Sequence, residues 1–241
     1  MKLARMPDGG PEIFHTHQGE GRNIGRPSVF IRASLCNLHC RWCDTDYTWN
    51  WEDTEYVHDC GTKYRREEQI IDLGAEKIVA HVQQYPCSHY VFTGGEPLLQ
   101  EREWLRLMEL LAGSFEIETN GTLLPSDEFF ERIDQLNVSP KLANSGVERE
   151  RRLDETVLRA LASSGKADFK FVVGSPEDFA EIESLLDSTG IAADRVFLMP
   201  EARTPAELEE NQGFVSELAL AHGLRYSDRL HLRLYGAKRG T

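Results

Sequence analysis

An α/β fold with parallel strands and helical crossovers is predicted by three features of the sequence. Short runs rich in branched and aromatic residues recur along the chain, most stop at Gly, Pro or Asn, and helical patterns lie between them. Six such strands with their helices would make a βα-barrel or most of one, with functional groups at the C-terminal strand ends. A doubly wound open sheet fits the alternation nearly as well.

The strands, in order, are "SVFIRASL" (Ser28 to Leu35), "HYVFTG", "SFEIETN", "QLNVSP", "ADFKFVVG" and "RVFLMP". Helical periodicity predicts helices over Glu67 to Gln84, Glu103 to Ala112 (the amphipathic "WLRLMELLA"), Leu153 to Ser163, Pro176 to Ser188 and Pro205 to His222. Two segments depart from the alternation. "DYTWNWEDTEYVHDCGTKYRREEQ" is rich in aromatics and charge and reads as a long ordered loop, with an insertion over residues 49–66. The tail "LHLRLYGAKRGT" reads as a last short strand and a basic end. With no repeat, low-complexity tract or linker, one domain over residues 1–241 is expected.

Composition narrows the class. Apolar content of 40% and charged content of 28% describe an ordinary soluble globular chain, with no apolar run long enough to span a bilayer and no signal peptide. A cytoplasmic location is expected, where thiols stay reduced and clustered cysteines read as metal-binding or catalytic. The net charge of −13 argues against nucleic-acid binding, yet leaves room for a small anion in a local basic pocket.

Three of the five cysteines fall in "CNLHCRWC", as Cys36, Cys40 and Cys43. One short loop at a strand end can wrap these thiolates around a single centre. Structural zinc usually takes four ligands in two pairs, and an iron–sulfur cube normally takes four thiolates. Three would leave one iron open to a substrate or cofactor. Zinc held by the three cysteines with His39 or His58 remains the blander alternative. A second feature, "VFTGGEPLL", places Thr93, Gly94, Gly95, Glu96 and Pro97 at the end of the second strand. Paired glycines admit a ligand close to the backbone, and the carboxylate could accept from a bound ammonium group. Alone, the segment is merely a turn.

Together, in that order on successive strands, the two features resemble the radical S-adenosylmethionine (SAM) superfamily. There a CxxxCxxC loop holds a 4Fe–4S cluster whose open iron chelates SAM, and a GGEP motif meets the methionine end. The resemblance implies a partial (βα)6 TIM-like barrel, which resolves the ambiguity left by the alternation. "FHTHQGEGRNIGRPSVFIR", "CRWCDTDYTW", "IETNGT", "VSPK" and "HLRLYGAKRGT" are further similar to the 7-carboxy-7-deazaguanine synthase family, over almost the whole chain and in the same order. That family converts 6-carboxy-5,6,7,8-tetrahydropterin to 7-carboxy-7-deazaguanine, on the path to preQ0, queuosine and other 7-deazapurines. It does so by reductive cleavage of SAM to a 5′-deoxyadenosyl radical, hydrogen abstraction from C6, ring contraction and loss of ammonia, assisted by magnesium.

The resemblance implies the following roles. Cys36, Cys40 and Cys43 hold the cluster, with Trp42 and Asp44 packing near the adenosyl group and Thr45 binding magnesium. Gly94, Gly95 and Glu96 meet the methionine end of SAM. Ser139, Pro140 and Lys141 make ribose and carboxylate contacts, and Met199, Pro200 and Glu201 flank the adenine. Substrate contacts come from His17, Gln18, Gly19, Glu20, Arg32, Thr93 and the carboxylate of Thr241, and Glu118 serves SAM, substrate or packing. The implied partners are the small-molecule pterin, an electron donor of flavodoxin or ferredoxin type and a second copy in a homodimer.

Blander readings stand for the rest. Cys60 and Cys87 read as ordinary packed or loop-borne thiols, and His81, His89 and His222 as surface or core residues. Trp49 and Trp51 stabilise their loop, and "EDFAEIESLLD" is a solvated helix face. Three rival functions fit parts of the sequence. A glycyl-radical-enzyme activase shares the cysteine spacing but needs an open cleft and no small-molecule carboxylate site. The others are a non-catalytic zinc-binding module and an electron-transfer iron–sulfur protein, the latter requiring a fourth cysteine.

Overall fold

The computed structural model describes all residues, Met1–Thr241. Ten strands form one sheet: β1 (Lys2–Ala4), β2 (Ile13–His17), β3 (Pro27–Ala33), β4 (Ile70–Asp72), β5 (His89–Gly94), β6 (Ser114–Thr119), β7 (Gln135–Val138), β8 (Ala167–Val173), β9 (Val196–Pro200) and β10 (Arg225–Tyr226). The helices are α1 (Arg66–Gln69), α2 (Ala75–Val82), α3 (Glu101–Leu110), α4 (Asp127–Arg132), α5 (Arg149–Arg152), α6 (Glu155–Ser163), α7 (Phe179–Thr189), α8 (Pro205–Ala221) and α9 (Leu230–Tyr235). The six expected strands are β3, β5, β6, β7, β8 and β9, neighbours in that order and all parallel. The strand path has two ends, β10 and β4, so the sheet is an open (βα)6-type barrel.

Strand register sorts the side chains. The paired residues Arg32–Thr93, Glu118–Asn137 and Asn137–Asp168 share one face, and a period of two puts Glu116, Ser139 and Lys170 on it as well. This face is the barrel interior, and it is polar. The other face carries Ile31, Phe92, Ile117, Val138, Phe171 and Leu198, all buried in a 36-residue core against helices that include Trp104, Leu158 and Ile182. At about 25 cal/mol per Å² of apolar surface removed from water, that outer layer carries the hydrophobic stabilisation and frees the interior for chemistry. Caps fix the helix starts. Asp154 accepts from the amides of Thr156 and Val157 at the start of α6, and Thr204 accepts from Glu207 N with Pro205 in the first turn of α8.

Three expectations are corrected. The helix expected over Glu67 to Gln84 is broken by β4, because Ile70–Asp72 pairs antiparallel with Lys2–Ala4, and this pairing overrides local helical periodicity. The tail expected to be a strand is helical over Leu230–Tyr235, with Leu232 buried. "SVFIRASL" is not the first strand, since β1 and β2 precede it and pair antiparallel with it. The segment after the cysteines is an ordered loop, pinned by buried Trp49 and Trp51 and a Trp51–Tyr64 bridge. No helix is long and apolar enough to cross a membrane.

Candidate active site

The C-terminal ends of the barrel strands surround a cavity of about 210 Å³. Its floor begins where β3 ends. Leu35 has φ 79°, the only positive φ outside glycine, and its amide donates to Thr48 O while its carbonyl accepts from Glu96 N. That strained turn throws the chain from strand into cysteine loop. The next strand end must then approach closely. A Cβ on Gly95 would lie 2.1 Å from Leu35 O and 3.0 Å from Cys36 Cβ, and one on Gly94 would lie 2.1 Å from Ala33 O. The paired glycines are thus demanded by backbone proximity to the cysteine loop.

Cys36, Cys40 and Cys43 all line the cavity. Burial pushes each thiol up, Cys40 to about 12, so the bare thiols stay protonated until a cation compensates their charge. Leu38 N approaches Cys36 Sγ at 3.4 Å, a polarised donor for a thiolate. No three His, Cys, Asp or Glu groups converge tightly enough for a single ion. His39 stacks on Tyr56 at 3.4 Å between ring centroids, and His58 Nε2 meets Cys43 O at 2.8 Å. His58 is thus engaged elsewhere, and His39, whose Nδ1 is buried without a partner, joins no metal-binding cluster with the cysteines. Three separated thiols with no fourth protein ligand fit a cluster with one open position.

Opposite the cysteines, charged groups project from the strand interior. Arg32 donates from Nε to Glu12 at 2.7 Å, and its two Nη groups make no protein hydrogen bond. Burial opposes its charge, but the Glu12 carboxylate beside it keeps it firmly protonated. Glu20 pairs with Lys170 and with Arg229 Nε, the latter at 3.2 Å. Burial alone would raise the pKa of Glu20, yet Lys170 and Arg229 hold it far below the usual carboxylate range. Glu118 accepts from Thr93 Oγ1 at 2.7 Å, and burial, reinforced by the charge of Glu20, pushes it up against the pull of Lys170. Two carboxyls in one cavity are thus driven apart: Glu20 is ionised and Glu118 is the better proton holder.

Of the residues singled out in the sequence, His17, Gln18, Gly19, Glu20, Arg32, Trp42, Asp44, Thr45, Thr93, Gly94, Gly95, Glu118, Ser139, Lys141, Met199, Glu201 and Thr241 line the same cavity as the cysteines. Three do not. Glu96 is fully buried below the cavity floor: Oε1 accepts from Thr119 Oγ1 at 2.8 Å and Leu98 N at 3.0 Å, and Oε2 accepts from Asn120 N at 2.7 Å. It caps the turn after β5 and already accepts from three donors, which leaves one acceptor site, on Oε2, for an ammonium group. Pro140 and Pro200 also fall outside the lining, because strand alternation turns Ser139 and Met199 inward and their proline neighbours away. Two lining residues also make strong contacts within the protein. Gln18 is spent internally, donating to Glu116 at 2.6 Å and accepting from Gly19 N at 2.8 Å, so it braces the turn. Asp44, expected beside the adenosyl group, pairs with Arg229.

Lys170, Arg229 and His231 also line the cavity and were not singled out from the sequence. Lys170 had a legible signal. A parallel strand flanked by helices has little solvent-facing surface, so Asp168 and Lys170 within "ADFKFVVG" mark a polar barrel interior. His231 lay in a tail expected to be strand and Arg229 just before it, where no pattern pointed either inward.

Residues 31–189 match the Radical SAM superfamily model. The chain is 38% identical over 232 residues to 7-carboxy-7-deazaguanine synthase of Pyrobaculum aerophilum, covering 95% of each protein. It is 39% identical over 248 residues to the enzyme of that name from Halobacterium salinarum, covering 93% of this chain and 89% of that one. The crystal structure of QueE from Escherichia coli superposes with a TM-score of 0.66 at 27% identity, covering 96% of this chain and 95% of that one. Superfamily membership brings with it a 4Fe–4S cluster and SAM, which the donor set at Cys36, Cys40 and Cys43 fits. With a three-thiol cavity in an open barrel and relatives matched over nearly its whole length, the chain belongs to the 7-carboxy-7-deazaguanine synthase family of the radical SAM superfamily.

Proposed function

We propose that the protein converts 6-carboxy-5,6,7,8-tetrahydropterin to 7-carboxy-7-deazaguanine by radical ring contraction with loss of ammonia, toward preQ0 and queuosine. One observation carries the reading: the cavity that gathers three thiols also holds Arg32 with both Nη groups free, a site for a planar carboxylate. Bound at the three cysteines, a reduced 4Fe–4S cluster with SAM supplies a hydrogen-abstracting carbon radical. The chain's own residues bind and orient. Arg32, locked by Glu12, takes the substrate carboxylate. Ionised Glu20 accepts from the N–H edge of the heterocycle, while Glu118 can hold a proton against a substrate nitrogen. Lys141, hydrogen-bonded to Ser139 at 2.9 Å and lying 5.6 Å from the Trp42 ring, offers a cation to the carboxylate of SAM. Trp42 and Trp49 wall the cavity and exclude water. As the family resemblance implies, the Thr45 hydroxyl, 3.6 Å from Cys43 Sγ, would bind magnesium beside the substrate carboxylate, while Asp44 pairs with Arg229.

The reading implies a low-potential donor of flavodoxin or ferredoxin type and, as in the family, a homodimer. Arg229, His231 and Thr241 line the cavity from the C-terminal segment, which suits a small-molecule site. The test is anaerobic reconstitution followed by incubation with the carboxytetrahydropterin, SAM, magnesium and a reductant. Formation of 7-carboxy-7-deazaguanine is expected. SAM cleavage without that product would remove the substrate assignment.

A further inference from the structure

Arg229 lies in the short segment between β10 and α9 and is 6% exposed. Its guanidinium spends each nitrogen on a different wall of the cavity. Nε donates to Glu20 Oε1 at 3.2 Å, Nη1 to Ala202 O just after β9, and Nη2 to Asp44 Oδ2. Asp44 directly follows the last cluster cysteine and precedes Thr45, whereas Glu20 sits in the segment that enters the barrel before β3. Around this group, Lys170 grips the other oxygen of Glu20, and Leu230 N donates to Gly19 O at 2.9 Å. Gly19 is packed so tightly that a Cβ there would lie 2.4 Å from His231 Nδ1.

A planar guanidinium can satisfy three acceptors in a fixed fork, which an ammonium on a flexible stem cannot reproduce. Burying these charges costs desolvation energy, and an apolar side chain would fill the space without that cost. The arrangement gains geometry: the cysteine loop and the substrate segment cannot shift independently while Arg229 holds both. Radical chemistry needs such registration, because a misplaced hydrogen donor lets SAM be cleaved without product.

On the reading of function above, we propose that Arg229 is a positioning residue that locks the Asp44–Thr45 turn to Glu20, fixing the distance between the radical source and the substrate.

The test uses the full chain, reconstituted anaerobically, as Arg229→Lys, Arg229→Gln and Asp44→Asn, with the Asp44→Asn/Arg229→Gln double variant. Iron and sulfide per chain and the spectral response of the cluster to SAM are measured first, and both are expected to match the parent. KM for the carboxytetrahydropterin is expected to rise roughly tenfold in both Arg229 variants, the scale of one lost charge-assisted hydrogen bond. The ratio of 5′-deoxyadenosine to 7-carboxy-7-deazaguanine should rise with it, and lysine should not rescue either value. The double variant should be no worse than Arg229→Gln alone, since the same bridge is already broken. A residue that merely supports the fold would lower thermal stability and leave KM and the product ratio of the surviving enzyme at parental values, which overturns the proposal. Loss of iron from both Arg229 variants, or strictly additive effects in the double variant, overturns it too. If the parent enzyme makes no product, the substrate reading falls and takes this inference with it. An active parent with unaltered variants sinks the positioning role alone.

Discussion

Arg32 and Glu20 carry opposite charges into one cavity, and each is fixed by a partner before any ligand arrives. Arg32 is held by Glu12, itself gripped by Arg239 Nε at 2.7 Å and Tyr47 Oη at 3.0 Å, so its free edge points at a set place. Arg32→Ala should therefore retain full iron content while kcat/KM falls about a hundredfold, equal to about 2.7 kcal/mol of lost bidentate contact. Normal turnover of that variant would show that the carboxylate sits elsewhere. At this scale, motif residues were the most legible part of the site, because cysteine spacing and the QGEG and CDT segments are local in sequence. Glu96 shows what spacing leaves out: a carboxylate beside two glycines looks free in one dimension, but Leu98 in the next turn and Thr119 and Asn120 at the end of β6 already donate to it. Arg229 was missed because its three acceptors lie 209, 185 and 27 residues away along the chain.

The elements that place these residues are strands whose polar face points inward. Sequence alternation gives the period of a strand but not which face is wet, and "ADFKFVVG" is the clearest case. Its Asp168 and Lys170 face the barrel interior, while Phe169, Phe171 and Val173 face the helices. Lower in the barrel, β6 carries Glu116, fully buried and surrounded by donors: Gln18 at 2.6 Å, Asn23 at 2.7 Å, Asn137, and His89 at 3.1 Å. Glu116→Ala strands these donors and should cost about 3–5 kcal/mol, lowering the melting temperature by about 10 °C in calorimetry. The turn after β5 makes a sharper demand. Gly95→Ala forces a methyl to within 2.1 Å of a carbonyl oxygen, and the cysteine loop must retreat. We expect about 2–4 kcal/mol of destabilisation and a clear fall in iron per chain after reconstitution, read by iron assay beside the parent. Elements set by long-range pairing were the least legible. Lys2–Ala4 and Ile70–Asp72 are three residues each and acquire strand character only from one another.

Across the whole molecule, a net charge of −13 coexists with a cavity containing Arg32, Lys141, Lys170 and Arg229. The charged interior makes stability depend on acid. Burial opposes the charges of Glu20, Asp44 and Glu116, but Lys170 and Arg229, Arg229, and His89 with Asn23 respectively hold them below their ordinary values. Groups lowered on folding stabilise the native state fully above their unfolded pKa, about 4, and that contribution is lost as pH falls through their folded values. Glu96 and Glu118, raised chiefly by burial, work in the opposite direction and offset part of the loss. Glu20 is held far below the usual carboxylate range by Lys170 and Arg229, so Glu20→Gln should flatten the fall in melting temperature between pH 5 and pH 3. An unchanged slope would place the acid sensitivity elsewhere. The six-strand core and the cysteine loop were legible from alternation and spacing. The contacts between the two ends of the chain were not, since Arg229 and Leu230 meet Glu20 and Gly19 across more than two hundred residues of sequence. That division has a consequence for protein engineering. The residues proposed for cluster and SAM lie on the central strands and their loops, while most of those proposed to read the pterin lie in the two terminal segments. A library confined to those termini, with Arg229 held constant because it grips Asp44 beside the cluster cysteines, would therefore search new heterocycles while leaving the radical-generating half of the molecule untouched.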